Sequence, residues 1–255
     1  MIKKIFKKYL LNKGYKVQKV PLEFVNNPEG CLNISFSYVD GHHILKKKNA
    51  SDIFFVQIGA YDGISQDPLR NFILRYNWSG VFIEPQKEAF ESLTKNYKDS
   101  NGLYFENAAI SNKVGKRVMY KIDQKKLEKY KSFSDDKNLL IWGPQTASFS
   151  PKILENNSAL PQIKDIVFEE YVDCITIDYL IDKYKIVNLD ILQIDAEGYD
   201  IEIIKMLKFD QIKPKIIQYE HKHFNLFERK ECNALLIKEG YKICFDDVDT
   251  IAYWE

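Results

Sequence analysis

Short apolar runs alternate along the chain with segments in which apolar residues recur every three or four positions. A continuous apolar run is typical of a strand buried on both faces, and the longer period is typical of a helix. The predicted strands cover residues 53–58, 80–84, 103–109, 189–195, 215–220, 241–245 and 250–254. The predicted helices cover residues 67–76, 87–97, 199–207 and 234–239. This alternation predicts an α/β fold, an open and mostly parallel sheet with helices on both faces and a terminal antiparallel hairpin across Asp246 and Asp247.

A long segment interrupts the alternation. About 80 residues separate the third predicted strand from the fourth, which is far more than one crossover connection needs. Residues 115–122 have the pattern of an added strand, and residues 123–161 are polar and irregular. We therefore predict an insertion at about residues 111–175, placed over the substrate side of the sheet, where long loops commonly carry function.

The first residues form a separate pattern. The apolar residues Ile2, Ile5, Phe6, Tyr9 and Leu10 fall on one helical face, and lysines occupy the rest of the segment. Such a basic amphipathic helix either lies on an anionic membrane surface, here the inner face, or packs on its own domain or a second subunit of a homo-oligomer. The predicted organisation is an extension over residues 1–50 and a core domain over residues 51–255.

Composition narrows the class of protein. The chain has 255 residues, of which 45% are hydrophobic and 29% charged, so bulk disorder is not expected. No run of about 18 apolar residues is present, and the first residues lack the apolar core of a secretory signal. The four cysteines are scattered without a Cys-x-x-Cys pair, which favours free thiols in a reducing compartment. We therefore expect a cytoplasmic protein.

Charge is distributed unevenly. Residues 1–50 hold ten lysines and three acids, a net charge of +7, and the other residues hold 27 basic and 33 acidic residues, a net charge of −6. A slightly acidic core domain lacks the broad basic face that duplex binding requires. Nucleic acid is therefore not the expected partner.

Candidate chemistry begins where the first strand ends. Gly59 and Gly63 lie in the first strand-to-helix turn, which lines the ligand crevice in an open parallel sheet. Their spacing is Gly-x-x-x-Gly, and the dinucleotide pattern Gly-x-Gly-x-x-Gly is absent. Glu84 ends the second strand 25 residues after Gly59, where a carboxylate can accept both hydrogens of a ribose diol. The combination indicates an adenosine ligand without a pyrophosphate and favours S-adenosylmethionine.

Polar side chains also follow the fourth and fifth strands. Asp195 ends one strand, and Glu220 and His221 end the next. Two acids and a histidine from adjacent strand ends are a plausible set for general base catalysis. Asp195 and Glu220 are also oxygen ligands, so Mg²⁺ at these two residues is an alternative. The pair His42 and His43 has no evident partner and is interpreted as a surface feature.

Several of these blocks together resemble one known family, the FkbM family of S-adenosylmethionine-dependent methyltransferases. The matching blocks lie in the family's order at residues 56–68, 80–85, 106–110, 145–149, 192–200 and 217–221. The resemblance covers roughly residues 52–254 and implies a seven-stranded Rossmann-like class I methyltransferase sheet. By the same resemblance, Gly59, Asp62 and Gly63 form the cofactor turn, and Glu84 holds the ribose.

The resemblance also implies the remaining cofactor contacts. Asn107 and Ala108, at the end of the third strand, lie beside the adenine. Gln57, Tyr61 and Pro85 complete the predicted cofactor-binding set. Gln57 stands where many family members carry an acid that orients the methionyl amine, and Tyr61 stands where a small polar residue is expected. The first departure removes the carboxylate that the family pattern places on the methionyl amine.

Family members typically methylate hydroxyl groups of sugars or other metabolites. The lead hypothesis is therefore an O-methyltransferase acting on a sugar or glycan hydroxyl, for example in polysaccharide biosynthesis. Trp142, Ser148 and His223 are the candidate substrate contacts, with the Trp142 ring stacking on a sugar face. The alternatives are a nicotinamide-dependent oxidoreductase on a similar sheet and a non-catalytic module that binds S-adenosylmethionine or glycan.

Overall fold

A computed structural model describes most of the core and a small part of the N-terminal extension. The described residues are 18–19, 32–33, 49–130, 143, 145–156, 163–245 and 248–254. The predicted N-terminal helix, His42, His43, Trp142 and the hairpin turn at Asp246 and Asp247 lie outside the described residues. The division into an extension and a core domain stays a prediction.

The strands and helices follow one another in the order that the sequence predicts over most of the core. In chain order the described strands are β1 (Gln18–Lys19), β2 (Leu32–Asn33), β3 (Phe54–Ile58), β4 (Ser79–Ile83), β5 (Leu103–Glu106), β6 (Ala109–Ile110), β7 (Gly115–Ile122), β8 (Ala147–Ser148), β9 (Val167–Ile175), β10 (Ile191–Ile194), β11 (Ile216–Glu220), β12 (Lys242–Phe245) and β13 (Asp249–Tyr253). The described α-helices are α1 (Arg70–Tyr76), α2 (Lys87–Asn96), α3 (Gln124–Tyr130), α4 (Pro151–Asn156), α5 (Ile163–Ile166), α6 (Ile177–Tyr184), α7 (Asp200–Lys205) and α8 (Leu226–Lys238). A 3₁₀ turn, Ala50–Asp52, precedes β3.

Seven strands form the central sheet, in the order β12-β13-β11-β10-β3-β4-β5. The five strands from β11 to β5 are parallel, and β13 pairs antiparallel with both β11 and β12. The chain proceeds from β3 toward one edge through β4 and β5, and later from β10 toward the other edge. The strand order therefore reverses between β3 and β10, and this topological switch point is where open α/β sheets bind ligands.

Helices bury both faces of the sheet. On one face, Leu180, Ile203 and Leu236 from α6, α7 and α8 pack into one hydrophobic cluster. On the other, Ile73 of α1 and Leu93 of α2 pack into a second cluster. The predicted α/β class, with seven strands, a terminal antiparallel hairpin and helices on both faces, is confirmed.

The long segment after β5 builds a second sheet, in the order β6-β9-β7-β8. The predicted strand at residues 115–122 is present as β7, and it pairs antiparallel along its whole length with β9, which sequence analysis did not predict. Residues 123–161 were expected to be irregular, yet they contain α3 and α4. Leu127 of α3 and Leu154 of α4 pack with Ile163 of α5 in a small buried cluster, which explains why these short helices are stable.

One helix begins earlier than its pattern predicts. We expected it to start at residue 234, but α8 begins at Leu226. The Asn225 side chain accepts from the backbone of Phe227 and Glu228, and the Glu228 carboxylate accepts from the Asn225 backbone. This capping box satisfies backbone donors of the first turn and fixes the start of the helix.

Among the described residues, no helix combines the length and the apolar character needed to cross a membrane.

Candidate active site

A cavity of about 420 Å³ opens at the carboxyl ends of β3, β4, β10 and β11, beside the topological switch point. This volume is within the range of small-molecule sites. The central sheet contributes the first turn and three strand ends, and the inserted sheet contributes the opposite wall. The predicted site residues that line the cavity are Gln57, Gly59, Tyr61, Glu84, Pro85, Ala108, Asp195 and Glu220.

The first turn is held by close approach of two backbones. The amides of Gly59 and Ala60 both donate to the Ile83 carbonyl, at 2.9 and 3.1 Å, which ties the turn to the end of β4. Gly59 has a φ of +78°, and a Cβ atom there would overlap the carbonyl oxygen of Asp195. The sequence argument explained this glycine by the approach of a ligand. In the structure it is the backbone after β10 that requires glycine.

Asp62 and Gly63 build the same turn without lining the cavity. The Asp62 carboxylate accepts from the backbones of Ile64 and Ser65, at 2.8 and 2.7 Å, and from the Ser65 hydroxyl at 2.7 Å. Partial burial raises the pKa of Asp62, but these hydrogen bonds outweigh it and hold the pKa below its usual value. Asp62 is therefore a negatively charged residue that orders the turn.

Glu84 is a buried carboxylate at the edge of the cavity, only 3% exposed. Its two oxygens accept from the backbone amides of Tyr61 and Gln86, each at 2.8 Å. Each carboxylate oxygen has two acceptor positions, so each keeps one for a ligand hydroxyl. Burial raises the Glu84 pKa to about 7, against the opposing effect of the two backbone amides and Lys121. The arrangement fits a carboxylate that receives a diol.

The predicted adenine contacts divide into two kinds. Ala108 is buried and lines the cavity, whereas Asn107 is exposed and does not. The Asn107 amide donates to the carbonyls of Glu84 and Pro85, at 2.8 and 3.2 Å. Asn107 therefore holds the loop that presents Glu84.

A charged cluster forms the end of the cavity at β10 and β11. His223 Nε2 lies 3.0 Å from a Glu197 oxygen and 2.9 Å from a Glu220 oxygen, and Lys222 Nζ lies 2.6 Å from the other Glu220 oxygen. Burial lowers the pKa of His223, but its hydrogen bonds with the two carboxylates dominate and raise it to about 9. At neutral pH His223 is therefore an imidazolium held between two carboxylates.

Asp195 faces this cluster. The residue is exposed to the solvent of the cavity. Desolvation by the surrounding protein atoms nevertheless raises the pKa of Asp195 well above its usual value, and the negative charges of Glu197, Glu220 and Asp200 raise it further. Burial also raises the pKa of Glu220, but its contacts with His223 and Lys222 outweigh this, so its pKa is lowered. The pKa of Asp195 is thus raised and the pKa of Glu220 is lowered. Opposite shifts in two neighbouring acids are typical of a site in which one acid serves as the base and the other orients a bound group.

His221 does not lie with this cluster. The residue is 5% exposed, and its Nδ1 is 3.0 Å from the Thr250 hydroxyl of β13. The residue does not line the cavity. The predicted grouping of Asp195, Glu220 and His221 is therefore replaced by Asp195 with Glu220, Lys222 and His223. The reason is that successive strand residues point to opposite faces, so Glu220 and His221 diverge.

The same cluster is where the structure brings possible metal ligands together. Among the described residues, Glu197, Glu220 and His223 each place one ligand atom within 4.8 Å of the others. The set predicted from the sequence was Asp195 and Glu220. Because Mg²⁺ prefers an all-oxygen shell, the histidine and its two ion pairs do not fit that ion well.

The inserted sheet forms the opposite wall. The cavity-lining residues of this sheet and of the loops beside β8 are Ala109, Ile110, Met119, Gln145, Thr146, Ala147 and Phe149, and Tyr199 joins them from the loop before α7. The Phe149 and Tyr199 rings meet edge to face with centroids 5.1 Å apart, and the Arg117 guanidinium lies 3.7 Å from the Phe149 centroid. Sequence analysis missed this aromatic pair, although both residues occur in blocks that it singled out.

The predicted substrate contacts lie outside the cavity lining or outside the described residues. Ser148 is 2% exposed, and its hydroxyl donates to the Glu197 carbonyl at 2.7 Å, which docks the inserted sheet on the loop after β10. His223 is enclosed by the two glutamates described above. Trp142 lies outside the described residues.

The buried carboxyl groups predict a pH dependence of stability. Burial raises the pKa of Glu84 and of Asp200 to about 7, with the Glu220 charge as the second cause for Asp200. A carboxyl whose pKa is raised on folding stabilises the protein below its unfolded pKa and loses that contribution as pH rises through the folded pKa. We therefore expect the free energy of unfolding to fall by about 1–3 kcal/mol for each group between pH 5 and pH 8.

Urea unfolding at the two pH values measures this fall. Glu84→Gln, which carries no titrating group, should reduce the difference between pH 5 and pH 8 by the Glu84 share. Asp182→Asn, at an exposed site on α6, serves as the matched control and should leave the difference intact. An equal difference in all three proteins would contradict the raised Glu84 pKa.

Comparison with known proteins gives one family match. The model of a family described as the methyltransferase FkbM domain matches residues 57–243. No curated protein matches the chain by sequence.

Solved structures show distant similarity. Methyltransferase FkbM from Methylobacillus flagellatus KT is 14% identical, with a TM-score of 0.48, over 80% of this chain and 44% of that chain. This chain thus spans less than half of that protein's length. The fibrillarin of Aeropyrum pernix in complex with S-adenosyl-L-methionine is 9% identical, with a TM-score of 0.37, over 81% of this chain and 68% of that chain. Precorrin-6y C5,15-methyltransferase from Geobacter metallireducens is 12% identical, with a TM-score of 0.40, over 93% and 100%.

Proposed function

Because the chain belongs to the FkbM methyltransferase family, we propose that it methylates a hydroxyl group of a sugar, a glycan or a related hydroxylated metabolite. Its seven-stranded sheet is that of a Rossmann-like class I methyltransferase, and S-adenosylmethionine is the methyl donor of that class. One observation carries the proposal: a single cavity joins buried Glu84 on one side of the switch point with Asp195 on the other.

The residues on the β3 and β4 side fit the cofactor. Glu84 retains one free acceptor position on each carboxylate oxygen, which matches the two hydroxyls of a ribose. Ala108 gives the small apolar surface that an adenine ring needs at the third strand. When bound, S-adenosylmethionine would supply its sulfonium methyl group for transfer to an oxygen nucleophile, with S-adenosylhomocysteine as the leaving group.

Asp195 is the proposed base. An alcohol is a poor nucleophile until its proton leaves, and Asp195 lies open to the cavity with a raised pKa. Its carboxylate takes the hydroxyl proton as the new carbon–oxygen bond forms, and then releases it to solvent. Lys222 and His223 hold Glu220 in place beside it, so Glu220 orients the acceptor through hydrogen bonds.

The acceptor is proposed to lie against the inserted sheet. Phe149 and Tyr199 offer an apolar aromatic wall to the C–H groups of a sugar ring, and Asp195 and Glu220 offer acceptors to its hydroxyls. We propose the route without a metal ion. Mg²⁺ on Asp195 and Glu220, the alternative, would have to displace the Lys222 contact with Glu220.

Calorimetric titration with S-adenosylhomocysteine, the reaction product, tests the proposal. We expect micromolar binding of S-adenosylhomocysteine and no binding of NADH, because the first turn lacks the glycine pattern that holds a pyrophosphate. NADH binding alone would instead support the nicotinamide-dependent alternative. Product binding without methyl transfer to any member of a sugar and glycan panel would support the non-catalytic alternative.

A further inference from the structure

The pairing between β10 and β11 ends one residue before the two acids of the cavity. The last paired residues of the two strands are Ile194 and Tyr219. Asp195 follows the first of them, and Glu220 follows the second. The strand pairing therefore does not by itself hold the backbone of Asp195 against that of Glu220.

A buried side chain joins the two strand ends at this point. Asp200 is the first residue of α7. Its Oδ2 accepts from the Ala196 backbone amide at 3.3 Å, and its Oδ1 accepts from the Glu220 backbone amide at 3.2 Å. One carboxylate thus connects the residue after Asp195 to Glu220, as a bridge just beyond the last strand pair.

The position suits a carboxylate and no other side chain of this size. Asp200 is 0% exposed, and a buried N–H group that is left without an acceptor is destabilising. A carboxylate only accepts hydrogen bonds, and it offers one oxygen to each of the two amides. Asparagine has a single acceptor oxygen, so at this position it could serve only one of them.

The turn between β10 and α7 is strained and is held from more than one side. Glu197 has a φ of +45°. A side chain other than glycine stays in this region only where the surrounding structure holds it there. The Ser148 hydroxyl donates to the Glu197 carbonyl at 2.7 Å, and Asp200 accepts from Ala196 at the start of the turn. Loss of the Asp200 contact would allow the turn to relax and Asp195, which precedes it, to move.

We infer that Asp200 is a positioning residue for methyl transfer, because its carboxylate fixes the place of Asp195 relative to Glu220. The inference rests on the proposed function, in which Asp195 is the base and Glu220 orients the acceptor. Asp200 does not line the cavity, so it acts through the backbone on which the two acids stand. A displacement of about 1 Å at a reacting group can lower a rate about 100-fold.

Asp190 offers a matched control at the opposite end of β10. It is also buried, at 1% exposure, and its carboxylate accepts from the Phe54 backbone amide at the start of β3, at 3.0 Å. Asp190 does not line the cavity. Asp190→Asn therefore makes the same chemical change in a second buried carboxyl group that binds a neighbouring strand, away from the two acids.

Hydrogen exchange, measured by NMR without any ligand, tests the contact itself. Burial raises the pKa of Asp200 to about 7, so the carboxylate form predominates at pH 8, where the rates are compared. We expect Asp200→Asn to speed exchange at the Ala196 amide, the Glu220 amide or both by about 10-fold. Asp190→Asn should leave both rates within about twofold of those of the unaltered protein.

Calorimetry and steady-state kinetics test the positioning. We expect Asp200→Asn to bind S-adenosylhomocysteine normally, because Glu84 lies on the other side of the switch point. With an acceptor that the unaltered protein methylates, kcat should fall about 10- to 100-fold. Asp200→Ser, with a smaller side chain, is the second variant and should show the same separation of binding from turnover. Asp190→Asn should keep kcat within about twofold, measured per folded protein.

The outcomes separate this inference from the proposed function. Unchanged exchange at both amides in the two Asp200 variants would show that Asp200 does not join the strand ends. Faster exchange with unchanged kcat, or an equal loss of kcat in the Asp190 and Asp200 variants, would overturn the positioning role. If the unaltered protein binds no S-adenosylhomocysteine and methylates no acceptor, the proposed function fails and the positioning role fails with it, whereas the exchange rates still report the contact.

Discussion

Asp195→Asn should lower the rate of methyl transfer about 100- to 10,000-fold, the range expected for loss of a general base. Asparagine keeps the shape of the side chain but cannot accept the acceptor's proton. The pKa of Asp195 is raised by the surrounding protein and then by the carboxylates of Glu197, Glu220 and Asp200, which makes it a stronger base than an ordinary aspartate. The change removes the negative charge at position 195 and leaves Glu84, the proposed ribose contact that follows β4, unaltered.

Release of S-adenosylhomocysteine, with an acceptor that the unaltered protein methylates, measures this rate. The rate should rise with pH through the raised Asp195 pKa, because the base acts in its deprotonated form, and Asp195→Asn should lose that rise. Asp182→Asn, the same change at an exposed position paired with Lys185, should keep full activity. If the activity of Asp195→Asn stayed within threefold of that of the unaltered protein, Asp195 would not be the base and another group would have to take the proton.

The sequence predicts which strand ends meet at the cavity, because their meeting follows from local patterns. Apolar runs identify parallel strands, and the carboxyl ends of parallel strands meet at one edge of the sheet. Gly59, Glu84 and Asp195 each follow such a run, and the structure brings all three to one cavity. The α/β class and the terminal hairpin follow from the same alternation.

The roles of individual side chains at strand ends are harder to predict. Glu220 lines the cavity and His221, the next residue, does not, because neighbouring strand residues point to opposite faces. Asn107 also follows a strand, but its amide donates to the Glu84 and Pro85 carbonyls. Which of two successive side chains at a strand end faces the cavity depends on the residue at which the strand ends, and the apolar pattern does not fix that residue.

The inserted sheet could not be predicted because its pairing is long-range. Gly115 of β7 pairs with Cys174 of β9, far along the chain, and no local signal connects them. β9 also carries Glu169, Glu170 and Asp173 among its apolar residues, which weakens its strand pattern. As a result the aromatic wall of the cavity, which this sheet positions, became visible only in the structure.

Gly59→Ala should destabilise the protein by about 2–5 kcal/mol and abolish binding of S-adenosylhomocysteine. A positive φ costs an L-residue about 1–2 kcal/mol, and crowding a packed site costs about 1–3 kcal/mol more. Gly59 has a φ of +78°, and its added Cβ would overlap the Asp195 carbonyl, a backbone atom that cannot rotate away. The strand ends on the two sides of the switch point must therefore separate, and the cavity between them changes shape.

Gly240→Ala isolates the backbone-strain part of this effect. Gly240 has a φ of +85°, close to that of Gly59, but an added Cβ there would meet only Lys213 Nζ, at 3.6 Å. Gly240→Ala should therefore cost only the backbone strain, about 1–2 kcal/mol, or a decrease in Tm of about 2–8 °C. It should bind S-adenosylhomocysteine normally, because Gly240 does not line the cavity. If the two variants lost equal amounts of Tm and of binding, backbone strain alone would account for the effect of Gly59→Ala. The close approach of Gly59 to the Asp195 carbonyl would then not determine the shape of the site.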